Sequence, residues 1–552
     1  MKTVMSGGRA MALAAKANGI ERIFGIPGAQ IYPLFDAFGQ EGFEVIAPRH
    51  EQAAAYMAMG AAKSTGKPAA FSVVPGPGVL NASAALCTAM GTCSKVLCLT
   101  GQVPSTYLGS GRGHLHELED QAGTLKSLIK DALRIDDPVQ TSSIMNQAFQ
   151  IMESGRPGPV SVEMCWDTMA EDCAIEITEG NQTSEQPVPD AEQVKEAARA
   201  IAAARKPMIM VGGGAQDAAE EVLALAELLN CPVMSFRSGR GVVADDHPLG
   251  VSPVAARILW EECDLLVGIG SRLEMPYMRW VAGTRYQQRP NDERTLIRVD
   301  IDPAEMQRFI PDYPVLADAT EGSKALLNEL ESLVQPDTHR RDEIAQAKAR
   351  AWQLIQKVQP QMDYFSVIRE VLPRDGIYVP ELSQMGFASW VGCLPLYQAR
   401  TYISEGFQGT LGFGFPTALG AKVANPDKAV LSVSGDGGLM FGVQELATAA
   451  QYNIGLISLV FNNRAYGNVL RDQDNLFQGR HVASDLKNPD FVKLAESFGV
   501  KGLRVSSPAE LKPLLAQSVD ADQPVLIEVD ISGGLESPAW EFINMYTVPG
   551  SD

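Results

Sequence analysis

The chain has 552 residues, a formal net charge of −20, and 45% hydrophobic and 20% charged residues. This length exceeds what one hydrophobic core serves and predicts about three domains. The acidic balance argues against a nucleic-acid surface, and the lack of an uncharged apolar run of about 18 residues argues against a membrane span. Arg and Lys interrupt the apolar positions of the N-terminus, a pattern that differs from the continuous apolar region of a signal peptide. The eight cysteines are scattered along the chain, which favours reduced thiols. We therefore expect a cytoplasmic protein.

Three blocks of alternating helix and strand patterns follow one another along the chain. The first covers residues 1–170 and the second covers 190–335, after a polar, Pro-containing linker. The third covers residues 360–552, after a charged helical connector at Gln335–Lys357. The second block contains four buried-type runs, KPMIMV, CPVMSF, CDLLVGIG and TLIRVD. This spacing predicts an α/β fold made of doubly wound parallel sheets.

The most informative segment is Val430–Asn463, which has the pattern of a complete βαβ unit. Two short apolar runs flank Met440–Gln451, which has helical periodicity. A right-handed crossover brings the ends of such strands to one edge of a sheet, so we expect Asp436 and Asn463 to lie close together. Carboxylate, carboxamide and backbone carbonyl oxygens suit Mg²⁺. The glycines beside the carboxylate, Gly435, Gly437 and Gly438, leave room for a diphosphate at the backbone.

This GDG…NN arrangement resembles the thiamin diphosphate (ThDP) motif of the decarboxylase and carboligase superfamily. The resemblance implies that Asp436, Asn463 and the backbone of Ala465 bind Mg²⁺, which in turn holds ThDP. The order of the three blocks resembles the pyrimidine-binding (PYR), middle and diphosphate-binding (PP) domains of acetohydroxyacid synthase, benzoylformate decarboxylase and pyruvate decarboxylase. This resemblance covers nearly the whole chain and implies three doubly wound parallel-sheet domains of that type.

Glu51 is the candidate catalytic carboxylate. It follows a short strand in EVIAPRH and begins the small-residue helix EQAAAYMAMGAA. Packing among Ala and Met would favour its neutral form, although a Glu in the first turn of a helix is also a routine stabilising placement. The passage FGIPG…RHE resembles the family's FGxPG…HE signature. That resemblance implies that Glu51 activates the cofactor through its aminopyrimidine ring.

The resemblance also implies cofactor contacts elsewhere in the chain. The string PGPG with Asn81 is similar to a loop near the pyrimidine, and GTLGFGFP is similar to the segment that holds ThDP bent, with Leu411 under the bend. The residues expected to contact ThDP are Gly28, Pro75, Asn81, Glu381, Ser383, Gln384, Gly409, Leu411, Gly435, Gly437, Gly438 and Tyr466.

The strings GQVP and LFQGRHVASDLKNPDF look closest to acetohydroxyacid (acetolactate) synthase. This implies loss of CO₂ from pyruvate or another small 2-oxo acid and transfer of the acyl carbanion to an aldehyde or keto acceptor, with Gln102 near the reaction.

Where that family has Phe-Gln-Glu, this chain has His114 and His116, which either relay protons or are solvated loop residues. Proton relay favours an alternative, a non-oxidative 2-oxo acid decarboxylase that releases an aldehyde. A non-catalytic ThDP-binding protein is a third hypothesis, against which the retention of Glu51 and the metal ligands argues.

The second block departs from FAD-containing synthases, so we expect no FAD. It lacks their GMHG loop after Gly250, and Ser271–Trp280 differs from their flavin-contacting ARFDDR string. The glycines Gly212–Gly214 are as consistent with a tight turn as with a nucleotide site.

The resemblance implies a homodimer or homotetramer with active sites at the subunit interface. We expect an acceptor pocket that includes the segment Met275–Trp280, and an aromatic C-terminal tail, Gly533–Asp552, that packs over it as a lid.

Overall fold

The computed structural model describes residues 2–180, 186–280, 293–334, 340–519, 522–531 and 536–543. Within these residues the strands form three parallel sheets and one small antiparallel pair. Each parallel sheet lies inside one of the three predicted blocks, and helices connect its successive strands. The α/β class with parallel sheets is confirmed, whereas the domain boundaries at 1–170, 190–335 and 360–552 stay predictions.

The first block carries a six-stranded parallel sheet. Its elements are β1 (Thr3–Ser6), α1 (Gly7–Ala17), β2 (Arg22–Gly25), α2 (Tyr32–Gln40), β3 (Glu44–Ile46), α3 (Glu51–Thr65), β4 (Ala69–Val73), α4 (Pro77–Gly91), β5 (Val96–Gln102), α5 (Gln121–Lys126), β6 (Asp131–Ile135), α6 (Thr141–Glu153), β7 (Val160–Cys165), α7 (Trp166–Ala170) and β8 (Asp172–Ile175). The sheet order is β3-β2-β4-β5-β7-β6. Strand β8 pairs antiparallel with β1, so the predicted polar linker begins with a strand.

The second block carries another six-stranded parallel sheet, in the order β11-β10-β9-β12-β13-β14. Its elements are α8 (Ala191–Ala203), β9 (Pro207–Val211), α9 (Ala219–Leu229), β10 (Val233–Ser235), β11 (Gly250–Val251), α10 (Pro253–Trp260), β12 (Leu265–Ile269), β13 (Thr295–Asp300), α11 (Pro303–Arg308), β14 (Tyr313–Leu316) and α12 (Ala319–Leu330). The four predicted strands are present as β9, β10, β12 and β13. The short strands β11 and β14 are additional, and both lie at the edges of the sheet.

The third block carries a five-stranded parallel sheet, in the order β15-β16-β17-β19-β18. The connector before it is the helix α13 (Arg340–Ile355), as its charged pattern predicts. The remaining elements are α14 (Gln361–Val371), β15 (Ile377–Pro380), α15 (Gln384–Trp390), α16 (Gly414–Ala424), β16 (Val430–Gly435), α17 (Asp436–Leu439), α18 (Leu446–Gln451), β17 (Ile457–Asn462), α19 (Gly467–Phe477), α20 (Phe491–Ser497), β18 (Lys501–Val505), α21 (Pro508–Val519), β19 (Val525–Asp530) and α22 (Trp540–Ile543).

The first and third blocks pack together through helices α3 and α16. Gly60 of α3 lies against the carbonyl of Thr417, and Gly420 of α16 lies against the backbone of Met57. A Cβ atom at either glycine would overlap the facing backbone, so the two helices approach closely only because both positions lack one. Apolar side chains of both blocks form one continuous buried cluster around this contact.

The structure also bears on the cysteines and on membrane-spanning segments. All eight cysteines lie in the described part of the chain and are unpaired. Within the described residues, no helix combines the length and the apolar character that crossing a membrane requires.

Candidate active site

The predicted βαβ unit brings its polar residues to one edge of the third sheet. Strands β16 and β17 are parallel neighbours, with Gly435 opposite Phe461, so Asp436 and Asn463 follow at adjacent strand ends. The intervening helix differs from the prediction of one helix over Met440–Gln451. A short 3₁₀ turn separates α17 from α18, and the carboxylate of Glu445 in that turn accepts the backbone N–H of Arg49. This contact joins the turn to the first block.

A cavity of about 230 Å³ opens at this edge of the sheet. Its lining comes entirely from the third block: Leu382, Ser383, Gln384, Met385, Phe387, Leu411, Gly435, Asp436, Gly437, Gly438, Phe461, Asn463, Ala465, Tyr466, Gly467, Asn468, Val469 and Glu536. Every predicted metal ligand is in this lining. So are all predicted cofactor contacts of the third block except Glu381 and Gly409.

Asp436 is the buried acid of the cavity. It is 2% exposed, and burial raises the pKa of its carboxyl above the ordinary value. Asn488 donates to the Asp436 carboxylate over 2.6 Å and to Asn462 Oδ1 over 3.0 Å. Asn462 in turn donates to Glu528, so of the two adjacent asparagines only Asn463 lines the cavity.

The side-chain amide of Asn463 makes two hydrogen bonds. Its Oδ1 accepts the backbone N–H of Ala465 over 3.1 Å, and its Nδ2 donates to Glu536 Oε2 over 2.8 Å. Burial raises the pKa of Glu536 to about 7, and the nearby carboxylate of Asp436 adds to that shift. Sequence analysis assigned no site role to either Glu536 or Asn488, although Asn488 lies in the quoted string LFQGRHVASDLKNPDF and Glu536 lies in the tail predicted to form a lid.

The lining fits a Mg²⁺-bound diphosphate. Gln384 Oε1 is buried and has no hydrogen-bond partner among the described residues, so it is left to accept from a donor group of a ligand or to face a cation. A Cβ on Gly435 would meet only Ser383, at 3.4 Å, so the backbone is open to a ligand there. The described residues contain no cluster of three His, Cys, Asp or Glu side chains. The oxygens of Asp436, Asn463 and Ala465 are instead the mixed carboxylate, amide and carbonyl donors that suit a hard cation.

Two predicted cofactor contacts lie behind the cavity. The carboxylate of Glu381 accepts the backbone N–H of Gly414 over 2.8 Å and that of Leu382 over 3.2 Å. Burial raises the pKa of Glu381 to about 8. Its side chain therefore supports the turn before α16 and does not point into the cavity. Gly409 has a φ of +63° and is not part of the lining, and a Cβ placed on it would meet the side chain of Leu382 at 3.6 Å.

A second group of predicted residues gathers at the first sheet. Gly28, Glu51 and Pro75 follow β2, β3 and β4, whose ends share one edge because the strands are parallel. Asn81 Nδ2 donates to Glu51 Oε2 over 3.0 Å. Glu51 is only partly buried, in contrast to the enclosure by Ala and Met that its sequence predicts, because the small buried residues of α3 begin at Ala53.

The loop that contains His114 and His116, called the histidine loop below, packs onto the same edge. The backbone of His116 contacts Gly76, and the His116 Nδ1 atom lies 2.8 Å from Gln30 Oε1. His116 has a φ of +64°, so the backbone holds it in the left-handed region. The ring of His114 stacks on Tyr107, with 3.8 Å between ring centroids. His116 therefore lies beside the loop that contains Pro75, and His114 lies further out.

Two parts of the predicted substrate pocket are buried in the single chain, and their roles stay predictions. Gln102 is 1% exposed, and its Oε1 accepts the backbone N–H of Val103, so the side chain is folded back at the end of β5. The segment Met275–Trp280 lies in the core of the second block, where Tyr277 and Trp280 pack on Trp260. Its apolar side chains fill that core and do not line the cavity of the third block.

A larger cavity of about 300 Å³ lies at the second sheet, where the connections reverse direction between β9 and β12. Its floor includes Gly212–Gly214. Several of its charged side chains are paired: Arg237 with Glu274, and Arg400 with both carboxylate oxygens of Asp217. The guanidinium of Arg272 lies over the ring of Phe407, and its Nε, like that of Arg237, has no hydrogen-bond partner among the described residues.

Comparison with known proteins agrees with this architecture. Three family models of thiamine pyrophosphate enzymes match: the N-terminal TPP binding domain at residues 5–124, the central domain at 194–329 and the C-terminal TPP binding domain at 384–529. The chain is 33% identical to a probable acetolactate synthase large subunit of Methanococcus aeolicus, over 96% of this chain and 92% of that protein. It is 32% identical to the acetolactate synthase large subunit of Haemophilus influenzae, over 96% and 94% of the two chains, and 30% identical to the isozyme 3 large subunit of Escherichia coli, over 96% and 95%.

Proposed function

Because the chain belongs to the acetolactate synthase family of thiamine pyrophosphate enzymes, we propose that it decarboxylates pyruvate, or a similar small 2-oxo acid, and transfers the remaining acyl group to an acceptor. The chain is thus an acetolactate synthase-like carboligase that uses thiamin diphosphate. The aldehyde or keto compound that accepts the acyl group is the part of this proposal that rests on sequence resemblance alone.

The observation that carries the proposal is the set of oxygens at the ends of β16 and β17. Asp436, Asn463 and the carbonyl of Ala465 line one cavity beside an open glycine backbone, a combination that suits Mg²⁺ and a diphosphate. A cofactor held there would supply a nucleophilic carbon and an electron sink for the decarboxylation of a 2-oxo acid. Asp436 would hold the cation, and Gln384 Oε1 would accept from a donor group of the cofactor.

We further propose that the complete site forms between two copies of the chain, as a homodimer or a homotetramer. The described lining of the cavity includes no residue of the first block, and Glu51 is partly exposed at the edge of the first sheet. Large apolar side chains are exposed near both groups: Leu80 and Leu115 beside the first, and Met440 and Phe441 after the second. A second copy that covers these side chains would enclose Glu51 and exclude water from the cavity.

The histidine loop supports the alternative activity, a decarboxylase that releases an aldehyde. The hydrogen bond between His116 and Gln30 fixes the ring beside the loop of Pro75. A histidine held there could supply the proton that converts the acyl group into a free aldehyde before an acceptor binds.

We propose that the reaction needs no FAD. The departures after Gly250 and at Ser271–Trp280 support this, and so do the ion pairs of Arg237 and Arg400 in the larger cavity, with which a dinucleotide would have to compete. Among the described residues, Arg272 Nε in that cavity has no hydrogen-bond partner and could face an anion. We also propose a cytoplasmic location, supported by eight unpaired cysteines, since thiols stay reduced in that compartment.

Product analysis tests the proposed reaction. The purified protein, supplied with Mg²⁺, ThDP and pyruvate alone, is expected to form acetolactate and CO₂, which mass spectrometry of the products measures. It should be colourless as purified, and added FAD should not change the rate. Acetaldehyde without acetolactate would favour the decarboxylase, and a flavin absorbance band at one equivalent would reverse the FAD proposal. Failure to consume any of a panel of 2-oxo acids would contradict both activities.

A further inference from the structure

The described C-terminal residues, Glu536–Ile543, form a strap that crosses the third block beside the cavity. Ser537 donates its backbone N–H to the carbonyl of Gln359 over 2.7 Å, and its own carbonyl accepts from Gln361 Nε2 over 3.2 Å. Ala539 and Ile543 are fully buried in the core of this part of the molecule. The strap is therefore an integral part of the fold, anchored to the start of α14.

Trp540 joins the strap to two elements of the cavity wall. Its ring packs on Phe387, with 4.8 Å between the centroids, and its Nε1 donates to Asn468 Oδ1 over 2.5 Å. Phe387 and Asn468 both line the cavity. This part of the predicted lid thus contacts the outer side of the cavity wall. The rest of the predicted tail, residues 533–535 and 544–552, lies outside the described residues.

Glu536 is the strap residue that reaches the cavity itself. Its Oε2 accepts from Nδ2 of Asn463, so the strap holds the amide group of one proposed metal ligand. A primary amide presents an oxygen on one side and an NH₂ group on the other, and only the oxygen can bind a cation. A carboxylate that accepts from the NH₂ side fixes which of the two faces the cation.

We infer that Glu536 is a positioning residue, through which the C-terminal strap orients Asn463 for the divalent cation. This inference rests on the proposed function, which assigns Asn463 to the metal. Groups that orient metal ligands typically contribute about 10–100-fold to metal affinity. The strap therefore links retention of the metal to a segment that lies 73 residues after the ligand.

The test is calorimetric titration of the metal-free protein with Mg²⁺ at saturating ThDP, for wild type and three variants. Glu536→Ala removes the acceptor and is expected to weaken Mg²⁺ binding about 10–100-fold. Glu536→Gln keeps an oxygen that can accept from Asn463 and is expected to stay close to wild type. Glu541→Gln, at an exposed position of the same strap, is the matched control and should bind as wild type does. Thermal unfolding of each metal-free variant shows that it is folded.

Wild-type affinity in Glu536→Ala would overturn the inference and leave the proposed function intact. An equal loss in Glu536→Gln and Glu536→Ala would also overturn it, because the charge of Glu536 would then act, and not its hydrogen bond to Asn463. If the wild-type protein itself bound no Mg²⁺ in the presence of ThDP, the proposed function would fail first. The three results are distinguishable in one series of titrations.

Discussion

Asp436→Ala is expected to abolish retention of Mg²⁺ and ThDP and, with it, all turnover. The variant removes the charged oxygen from a site that otherwise offers neutral amide and carbonyl donors. Loss of groups that only orient a ligand already costs about 10–100-fold, so we expect loss of the ligand itself to cost more than about 100-fold in affinity. Calorimetry with ThDP at excess Mg²⁺ measures the effect directly.

The fold should survive this substitution. Burial raises the pKa of Asp436, which means that the folded protein without metal disfavours the ionised side chain. Asn488 keeps its second acceptor, Asn462 Oδ1, when the carboxylate is gone. The exposed Asp427 provides the control, since Asp427→Ala should change neither ThDP affinity nor thermal unfolding. Unchanged ThDP affinity in Asp436→Ala would show that the metal is bound elsewhere.

Glu51→Gln is expected to leave ThDP bound and to slow activation of the cofactor. The carboxyl group would share its proton with the aminopyrimidine ring, which a neutral amide cannot do. General acid–base catalysis of this kind contributes about 10²–10⁴-fold. Hydrogen–deuterium exchange at the thiazolium C2 position, followed by NMR after rapid quenching, should be slower by about that factor.

The substitution is nearly isosteric and keeps an oxygen that can accept from Asn81, so the local structure should be retained. The exposed Glu44, on the strand just before, is a matched control: Glu44→Gln should exchange at the wild-type rate. Wild-type exchange in Glu51→Gln would remove Glu51 from the mechanism.

Short-range patterns in the sequence were sufficient to predict most of the fold. Apolar runs located four strands of the second sheet and the two strands that flank Met440–Gln451, and the small-residue run of α3 predicted a buried helix. The strand order within each sheet was not predicted, because it depends on contacts between segments that are distant in sequence. The helix predicted over Met440–Gln451 is shorter in the structure and follows a 3₁₀ turn, in which Glu445 accepts the backbone N–H of Arg49 from the first block. A contact between residues almost 400 positions apart leaves no local pattern to detect.

Some residues of the candidate site could be predicted from the sequence and others could not. Asp436 and Asn463 were predictable, since each follows a strand whose neighbour could be inferred. The role of Gln102 stays a prediction, because the sequence does not tell whether a polar side chain at a strand end faces a ligand or, as in the single chain, its own backbone. No site role was predicted for Glu536 or Asn488. They come from segments without regular structure that tertiary packing brings to the cavity.

Complementation between two inactive variants tests the central claim most directly. Glu51→Gln and Asp436→Ala, co-expressed in equal amounts, should form mixed dimers in which one of the two sites combines an intact Glu51 from one copy with an intact Asp436 from the other. Random pairing then predicts acetolactate formation from pyruvate at about a quarter of the wild-type rate, while each variant alone is inactive. If the mixture is as inactive as its components although mixed dimers form, then Glu51 and Asp436 do not act together across two copies of the chain.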